Sequence, residues 1–495
     1  MLRSDHARLF LVWTVILGTT LLAVVGQSMR HDDASETPAA ASATSDAAPV
    51  VPVTLKAEVE GRLTMALDVL RRFGPGVTSS QVLEAAEALA RADAPFASRV
   101  AYAVLVGEVE GTGSGLGRLG DLKAQTDAES RLLAEVESRM RRLAESEAAD
   151  AQSAKADAET ETDAETEPDA QTRADTGREA ADVDRVLGYF ARLLDPEDRS
   201  AARAEGMPLL IALVAAGLWY LVAFLAGLVV LIALAALLVL GRIKPRLRPA
   251  EPRGKAIVLG EAFAAWIVAF LASNLILAVV VEALPDHPAV PLALSLVAFF
   301  ASLAVIPVVA SLRGISFAEL RGLVGLHAGR GLVVESLHGV ACYVGAVPLL
   351  VVGLVVYLAL ATLWRHMTGA ESAPSHPAIE QLVSAGPLGI ALLFALASVA
   401  APIVEEIAFR GLLYGHVRGI ALRTNRFLSA GLAAVVSSLI FAVIHPQGVL
   451  FVPALGGLAV GFCIYREVRG SLVAPMVAHA IQNAVTLSIA LLVLA

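Results

Sequence analysis

The amino-acid sequence predicts an all-α protein: a polytopic transmembrane helical bundle of about eight or nine spans, with a small helical extracytoplasmic domain after an N-terminal anchor. Composition is the first reason, because 56% of the 495 residues are hydrophobic and 17% are charged. A mean hydropathy of +0.68 is too apolar for a single soluble core. The second reason is the succession of apolar runs after residue 206, each long enough to cross a bilayer core of about 30 Å.

Residues 1–27 form the first element. Arg3 and Arg8 precede an apolar stretch over residues 9–25, which is long for a signal peptide. The VVGQSMR sequence at its end lacks a clear small-residue cleavage site. We therefore expect a signal anchor or first transmembrane helix with a cytoplasmic N-terminus. A cleaved signal peptide is the alternative, and either one exports the segment that follows.

The exported segment has three parts. Apolar positions recur at three- and four-residue steps in LTMALDVLRRF and SSQVLEAAEALARA, so residues 28–144 are expected to form a mostly helical domain. Residues 145–181 have almost no large apolar side chain, which predicts a disordered acidic linker. Residues 182–206 include the amphipathic stretch VDRVLGYFARLL, which is expected to form a juxtamembrane helix.

Transmembrane helices are expected over residues 207–379 and again over residues 380–495. The predicted spans lie near 208–240, 257–283, 290–311, 332–364, 386–409, 428–445, 449–465 and 471–494. The short loops between them are rich in arginine on one side of the membrane, which makes that side cytoplasmic. Frequent Ala and a preference for Arg over Lys are typical of a GC-rich bacterial genome. We therefore expect a multi-pass protein of a bacterial inner (cell) membrane, in contact with membrane lipid.

Charge and cysteine usage exclude several function classes. Acidic residues are concentrated in residues 28–206, and the formal net charge is -9, so no nucleic-acid partner is expected. Cys342 and Cys463 lie in apolar runs, which indicates neither a disulfide framework nor a thiolate metal site. Residues 28–206 are instead a candidate surface for an extracytoplasmic partner.

Ionisable and amide side chains interrupt the apolar C-terminal third of the chain. Such groups are costly at membrane depth and are kept mainly for chemistry, ion binding or mutual pairing. They occur in the segments APIVEEIAFRG, SSLIFAVIH and APMVAHAIQNAV, as Glu405, Glu406, Arg410, His445, His479 and Asn483.

Helical spacing indicates which of these groups act together, because residues four apart share a helix face. Glu406 and Arg410 are expected to form an ion pair, which leaves Glu405 to act as a general base on water. His479 and Asn483 also share a face, where an imidazole and an amide are suitable donors for an oxyanion.

Together the three segments resemble the CPBP family of intramembrane proteases, which includes CAAX prenyl endopeptidases and Abi-type proteins. The pattern EE-x-x-F-R-G occupies residues 405–411, F-x-x-x-H ends at His445, and H-x-x-x-N begins at His479. The resemblance covers residues 380–495, which are the catalytic core that it implies.

The resemblance implies an intramembrane endopeptidase that acts on membrane-associated protein or peptide substrates. It assigns the activation of water to Glu405 and His445, and the stabilisation of the oxyanion to His479 and Asn483. Supporting positions carried over from the motifs are Glu406, Arg410 and Phe441.

No cofactor is favoured, with Zn²⁺ as the alternative. A carboxylate and two imidazoles, from Glu405, His445 and His479, would hold zinc with one position free. The sequence has no HExxH helix, and an amide such as that of Asn483 is a poor zinc ligand. A metal-independent glutamate mechanism is therefore favoured.

Two other function classes stay open. A non-proteolytic membrane scaffold or immunity protein on the same fold would use the polar groups only for structure. An ion-coupled transporter would use the carboxylates to bind protons or ions, although the sequence shows no internal repeat. Tyr414, His416 and Arg418 are expected at the cytoplasmic entrance of the site or in an interfacial belt.

Overall fold

The structure is a computed structural model that describes residues 2–35, 50–73, 78–84, 86–92, 94–156, 183–204, 206–247, 253–283, 289–368, 381–382, 386–421 and 425–494. These residues form helices and turns without any strand, which confirms the all-α prediction. Residues 157–181 of the predicted acidic linker lie outside the described part. The chain divides into two compact units, Met1–Ala39 with Gly217–Leu491 and Ala40–Ala216 with Leu492–Ala495.

The described helices are numbered in chain order. They are α1 (Leu2–Ser35), α2 (Leu55–Phe73), α3 (Ser79–Glu84), α4 (Phe96–Glu110), α5 (Thr112–Gly120), α6 (Asp127–Ala156), α7 (Tyr189–Leu193), α8 (Pro196–Ala204), α9 (Gly206–Val239), α10 (Arg253–Glu282), α11 (Ala289–Ser302), α12 (Val305–Leu312), α13 (Phe317–Val324), α14 (Leu332–Thr368), α15 (Pro387–Ile420), α16 (Arg426–Val443), α17 (Val452–Arg469) and α18 (Val473–Leu494). Within the described ranges, nine helical segments are long and apolar enough to cross a membrane. This number confirms the predicted polytopic bundle.

The unit formed by residues 40–216 is a small helical domain with its own apolar core. Helices α2, α4 and α6 contribute Met65, Val104 and Val136 to that core. Residues 183–204, predicted to be a juxtamembrane helix, add Leu187 and Phe190, which are fully buried in the same core. This segment is therefore a packed part of the domain.

Helix α6 runs on to Ala156, into the segment predicted to be a disordered linker from residue 145. Residues 145–156 read ESEAADAQSAKA, and Ala and Glu favour helix even without large apolar neighbours. Glu147 also binds Arg199 of the same domain, with Nη1 and Oε1 2.7 Å apart. Local propensity and this ion pair together account for the longer helix.

Helix α1 is a packed member of the larger unit. Its Val12 and Ile16 are buried in a core that α10, α15 and α16 share. Arg8 binds Glu261 of α10, with Nε and Oε1 2.8 Å apart, and Arg313 binds the second oxygen of the same carboxylate at 2.8 Å. These contacts pack α1 into the bundle.

Helices α14 and α17 approach closely because glycines of α17 face α14. A Cβ atom on Gly461 would lie 2.6 Å from the Cβ of Ala346, and one on Gly457 would collide with the carbonyl oxygen of Leu349. Gly456 points elsewhere, with nothing within 4 Å of its position. Small residues four apart are a common means of close helix contact within membranes. They hold α17 firmly against α14.

Helix α15 is continuous but is not a regular α-helix. Its stretches Leu396–Ala400 and Glu406–Leu413 have π-helical hydrogen bonding. The helix continues through LLYGHVR and ends at Ile420, beyond the predicted end of the span at residue 409. Glu405 consequently lies near the middle of α15, between the two π-helical stretches. π-Helical stretches are rare in proteins, and those that do occur are often found at functional sites.

Candidate active site

Glu406 and Arg410 form the buried ion pair that their spacing predicts. Arg410 Nη1 donates to Glu406 Oε1 at 2.9 Å, and both side chains are 0% exposed. Each charge offsets the cost of burying the other at membrane depth.

The guanidinium of Arg410 is also held between two aromatic rings. Its Cζ lies 4.4 Å from the ring centre of Phe441 and 5.3 Å from that of Phe462. Its Nε and Nη2 atoms donate no hydrogen bond to the described residues, so the ring faces supply the favourable electrostatic contact. The sequence analysis predicts a supporting role for Phe441. It gives no signal for Phe462, which is part of none of the three motifs.

His479 lies between two carboxylates. Its Nδ1 is 3.0 Å from Glu406 Oε1, and its Nε2 is 3.7 Å from Glu405 Oε2. Because the ionised Glu406 can only accept, Nδ1 is the protonated nitrogen of this hydrogen bond and Nε2 is the one that faces Glu405. Spacing along α18 does not reveal the contact, since Glu406 and His479 are 73 residues apart.

The two histidines converge on Glu405. Its Oε2 lies 3.8 Å from His445 Nε2 and 3.7 Å from His479 Nε2. This oxygen is buried and accepts no hydrogen bond from any residue that the structure describes. A carboxylate oxygen with free lone pairs beside two imidazoles is suited to take a proton from a small molecule such as water.

His445 lies just beyond α16 and not within a transmembrane helix. The predicted span over residues 428–445 includes His445, but the helix begins at Arg426 and ends at Val443. Pro446 explains the early end, because a proline ring disfavours helical backbone angles in the residue before it, here His445. The imidazole is still held in place, with Nδ1 2.6 Å from the Phe441 carbonyl oxygen and the two ring centres 4.2 Å apart.

Asn483 is anchored on α15. Its Nδ2 donates to the carbonyl oxygen of Ala397 at 2.7 Å, within the first π-helical stretch. The Ala401 N–H donates to the Leu396 carbonyl oxygen and Pro402 has no N–H, so the side-chain amide of Asn483 supplies a donor for Ala397. An amide nitrogen carries two hydrogens, of which this contact uses one.

Tyr414, His416 and Arg418 are buried, so their placement at an entrance or in an interfacial belt is wrong. The Tyr414 hydroxyl donates to Glu467 Oε2 at 2.8 Å, and Arg418 Nη2 donates to Glu467 Oε1 at 3.1 Å. His416 Nδ1 donates to the carbonyl oxygen of Ala256 at 2.8 Å. These three side chains fasten α15 to α17 and α10.

The predicted zinc ligands Glu405, His445 and His479 meet without forming a preassembled metal site. Across the described ranges, no three His, Cys, Asp or Glu side chains stand in an arrangement that could hold a metal ion. His479 Nδ1 donates to Glu406, an arrangement typical of zinc-bound histidines, so Nε2 would be the ligand atom if a metal ion bound.

Comparison with known proteins agrees with the motifs. Residues 387–485 match the family model described as type II CAAX prenyl endopeptidase Rce1-like. The chain is 34% identical over 86 residues to the membrane-embedded CAAX protease MroQ of Staphylococcus aureus (strain USA300). These residues are 17% of this chain and 34% of that protein, so the chain spans about a third of the relative's length. No solved structure matches the chain. The segment that carries the polar cluster, residues 387–485, is therefore the part of the chain that matches the Rce1-like CAAX prenyl endopeptidase family.

Proposed function

We propose that this protein is an intramembrane endopeptidase that hydrolyses peptide bonds of membrane-associated proteins or peptides. One observation carries the proposal. Inside a bundle of membrane-length helices, a Glu405 oxygen that accepts no hydrogen bond from the described residues faces two imidazoles. The family match over residues 387–485 supplies the class of reaction.

In the proposed reaction, Glu405 Oε2 takes a proton from water while the water oxygen attacks the carbonyl carbon of the scissile bond. His445, whose Nε2 is 3.8 Å away, shares that proton. Negative charge then develops on the carbonyl oxygen, for which His479 Nε2 and the second N–H of Asn483 are the proposed donors. The C–N bond breaks as the proton passes to the leaving nitrogen, which yields a carboxylic acid and an amine.

This role sets a requirement on His479. Its Nδ1 already donates to Glu406, so Nε2 can donate to an oxyanion only when the ring carries both protons. The Glu406–Arg410 pair is neutral as a unit, and the Glu405 carboxylate balances the charge of an imidazolium. We propose this arrangement of four charges for the resting site.

We further propose that the reaction proceeds without a metal ion. The support is that Asn483, whose amide is a poor zinc ligand, lies on the same face of α18 as His479. The competing hypothesis places zinc on Glu405, His445 and His479.

A bacterial inner-membrane location with a cytoplasmic N-terminus is also a proposal. Arg8 of α1 and Arg313, which lies in one of the arginine-bearing loops, meet on the single carboxylate of Glu261. The N-terminus therefore lies on the same side as that loop, which the positive-inside rule makes cytoplasmic. Residues 28–206 would then face the opposite side and are the proposed surface for an extracytoplasmic partner.

The test is cleavage of a fluorogenic peptide library by the purified full-length protein. Glu405→Gln keeps the side-chain shape but removes the base, and we expect kcat/KM to fall by at least ~100-fold with the unfolding midpoint unchanged. Glu319→Gln is the matched control, because Glu319 pairs with Lys255 on the surface at 2.6 Å and should keep wild-type activity. Cleavage that persists in Glu405→Gln would contradict the proposal.

Metal content and chelator response, measured on the same preparation, separate the two mechanisms. Stoichiometric zinc whose removal abolishes cleavage would establish the zinc mechanism in place of the glutamate mechanism. Cleavage that is insensitive to chelators and to Glu405→Gln would point to a contaminating protease. A wild-type protein that cleaves no peptide would favour the scaffold function.

A further inference from the structure

The loop after α9 contains a pocket lined by positive charge. Residues Gly241, Arg242, Lys244, Pro245 and Arg246 line an open cavity of about 510 Å³. The three basic side chains are exposed, and none of them forms an ion pair within the described ranges. We call this feature the basic-loop pocket.

Further cations border the basic-loop pocket. Slight desolvation by the surrounding protein, together with the neighbouring guanidinium groups of Arg330 and Arg469, lowers the pKa of the mostly exposed Arg246 from its ordinary value. Glu335 opposes this effect, but both of its oxygens are already engaged by Arg469, at 2.6 and 3.0 Å. The pocket therefore holds more positive charge than its surroundings neutralise.

The basic loop is held in a defined conformation. The backbone N–H groups of Arg246 and Leu247 both donate to the carbonyl oxygen of Glu467, at 3.0 and 3.1 Å. Leu247 is buried in the core of the larger unit. Gly241 has a φ of +68°, a left-handed conformation that glycine adopts without strain and that turns the chain at the end of α9. The cations are thus presented by an ordered loop.

Apolar surface adjoins the charged pocket. Val239 and Leu240, which directly precede the loop, are 86% and 70% exposed at the end of a membrane-length helix. A ligand that matches both surfaces carries a negative head and an apolar tail.

We propose that the basic-loop pocket binds the phosphate headgroup of an anionic membrane lipid, whose acyl chains lie along the end of α9. Basic pockets at the membrane face are suited to anionic headgroups, and each cation near such a surface adds to the affinity. A topology signal needs charge alone, whereas this loop combines charge with a cavity and a fixed backbone. The proposal is independent of protease activity.

The test is titration of the detergent-purified full-length protein with dioleoylphosphatidylglycerol, with the retained lipid counted by native mass spectrometry. The pocket variant combines Arg242→Gln, Lys244→Gln and Arg246→Gln. The control variant removes the same charge from three exposed residues outside the pocket, through Arg253→Gln, Arg321→Gln and Arg426→Gln. An unchanged unfolding midpoint in lipid-free detergent verifies that each variant is folded.

We expect the wild type, the control variant and Glu405→Gln to bind phosphatidylglycerol in preference to phosphatidylcholine. The pocket variant should lose affinity on the order of 100-fold. Equal loss in the pocket and control variants would overturn the proposal, because it would indicate general charge attraction. Equal binding of phosphatidylcholine, or displacement of the lipid by inorganic phosphate at the same concentration, would also overturn it.

Discussion

The Nδ1 atom of His479 lies 3.0 Å from Glu406 Oε1, the same oxygen that accepts from Arg410 at 2.9 Å. One carboxylate oxygen therefore orients a candidate catalytic imidazole and neutralises a buried arginine. The integrity of the bundle and the geometry of the site depend on the same atom, and suitable variants can separate the two effects.

Removing one charge of the Glu406–Arg410 pair should lower the free energy of unfolding by about 3–5 kcal/mol, because the other charge is left buried and unpaired. The double variant with Glu406→Leu and Arg410→Met leaves neither charge and should recover most of that stability. It should remain inactive because His479 loses its Nδ1 acceptor. Unfolding midpoints and cleavage rates check both points. A double variant less stable than either single variant would contradict the first.

Asn483→Ala should reduce kcat by about 10²–10³ with little change in KM, because the proposed oxyanion donor is lost. Asn483→Asp should be equally inactive, since an ionised carboxylate cannot donate. Gln482→Ala is the control on the same helix, where Gln482 bonds to Thr486 at 3.0 Å, and should change kcat only slightly. Full activity of Asn483→Asp would rule out the donor role.

Ile16→Ala should lower the free energy of unfolding by about 2–5 kcal/mol, because Ile16 is 0% exposed in the core of the larger unit. The neighbouring Leu17 is 58% exposed, and Leu17→Ala should change stability by no more than about 0.5 kcal/mol. Thermal unfolding of both variants in the same detergent provides the measurement. Equal midpoints would mean that α1 does not pack in the bundle.

Gly461→Ala should destabilise the protein by about 1–3 kcal/mol, because the new Cβ would meet the Cβ of Ala346 at 2.6 Å. Gly456→Ala, five residues earlier on the same helix, meets nothing within 4 Å. It should be neutral or stabilising, by up to about 1 kcal/mol from helix propensity. Unfolding midpoints that change in the same direction for both variants would contradict the close packing of α14 and α17.

Contacts along one helix could be predicted from the sequence, and contacts between helices could not. The Glu406–Arg410 pair follows from a four-residue spacing on one face. The hydrogen bond from Asn483 to Ala397 joins residues 86 apart, and no periodicity relates them. Phe462 gives no local signal at all.

The end of α16 before His445 and the π-helical stretches of α15 differ in how far the sequence predicts them. Pro446 stands directly after His445 in the sequence, and its effect on the preceding residue is sufficient to place His445 outside the helix. The first π-helical stretch of α15 has a comparable signal in Pro402, which lies inside the helix without an N–H to donate, whereas the second stretch has none. Residues 145–156 show the opposite case, in which helix propensity and an ion pair outweigh a low apolar content.

The π-helical stretches also constrain how α15 can change during evolution. A π-turn accommodates about one more residue than an α-turn, so loss of a residue within either stretch would restore a regular helix and leave the side chains beyond it near their present directions. Loss of a residue from the α-helical part between the two stretches would instead rotate every side chain beyond the deletion by about 100° about the helix axis. Tyr414 and Arg418 would then turn away from Glu467, which both now bind. Homologues that retain this site should therefore lose residues from α15 only within its π-helical stretches.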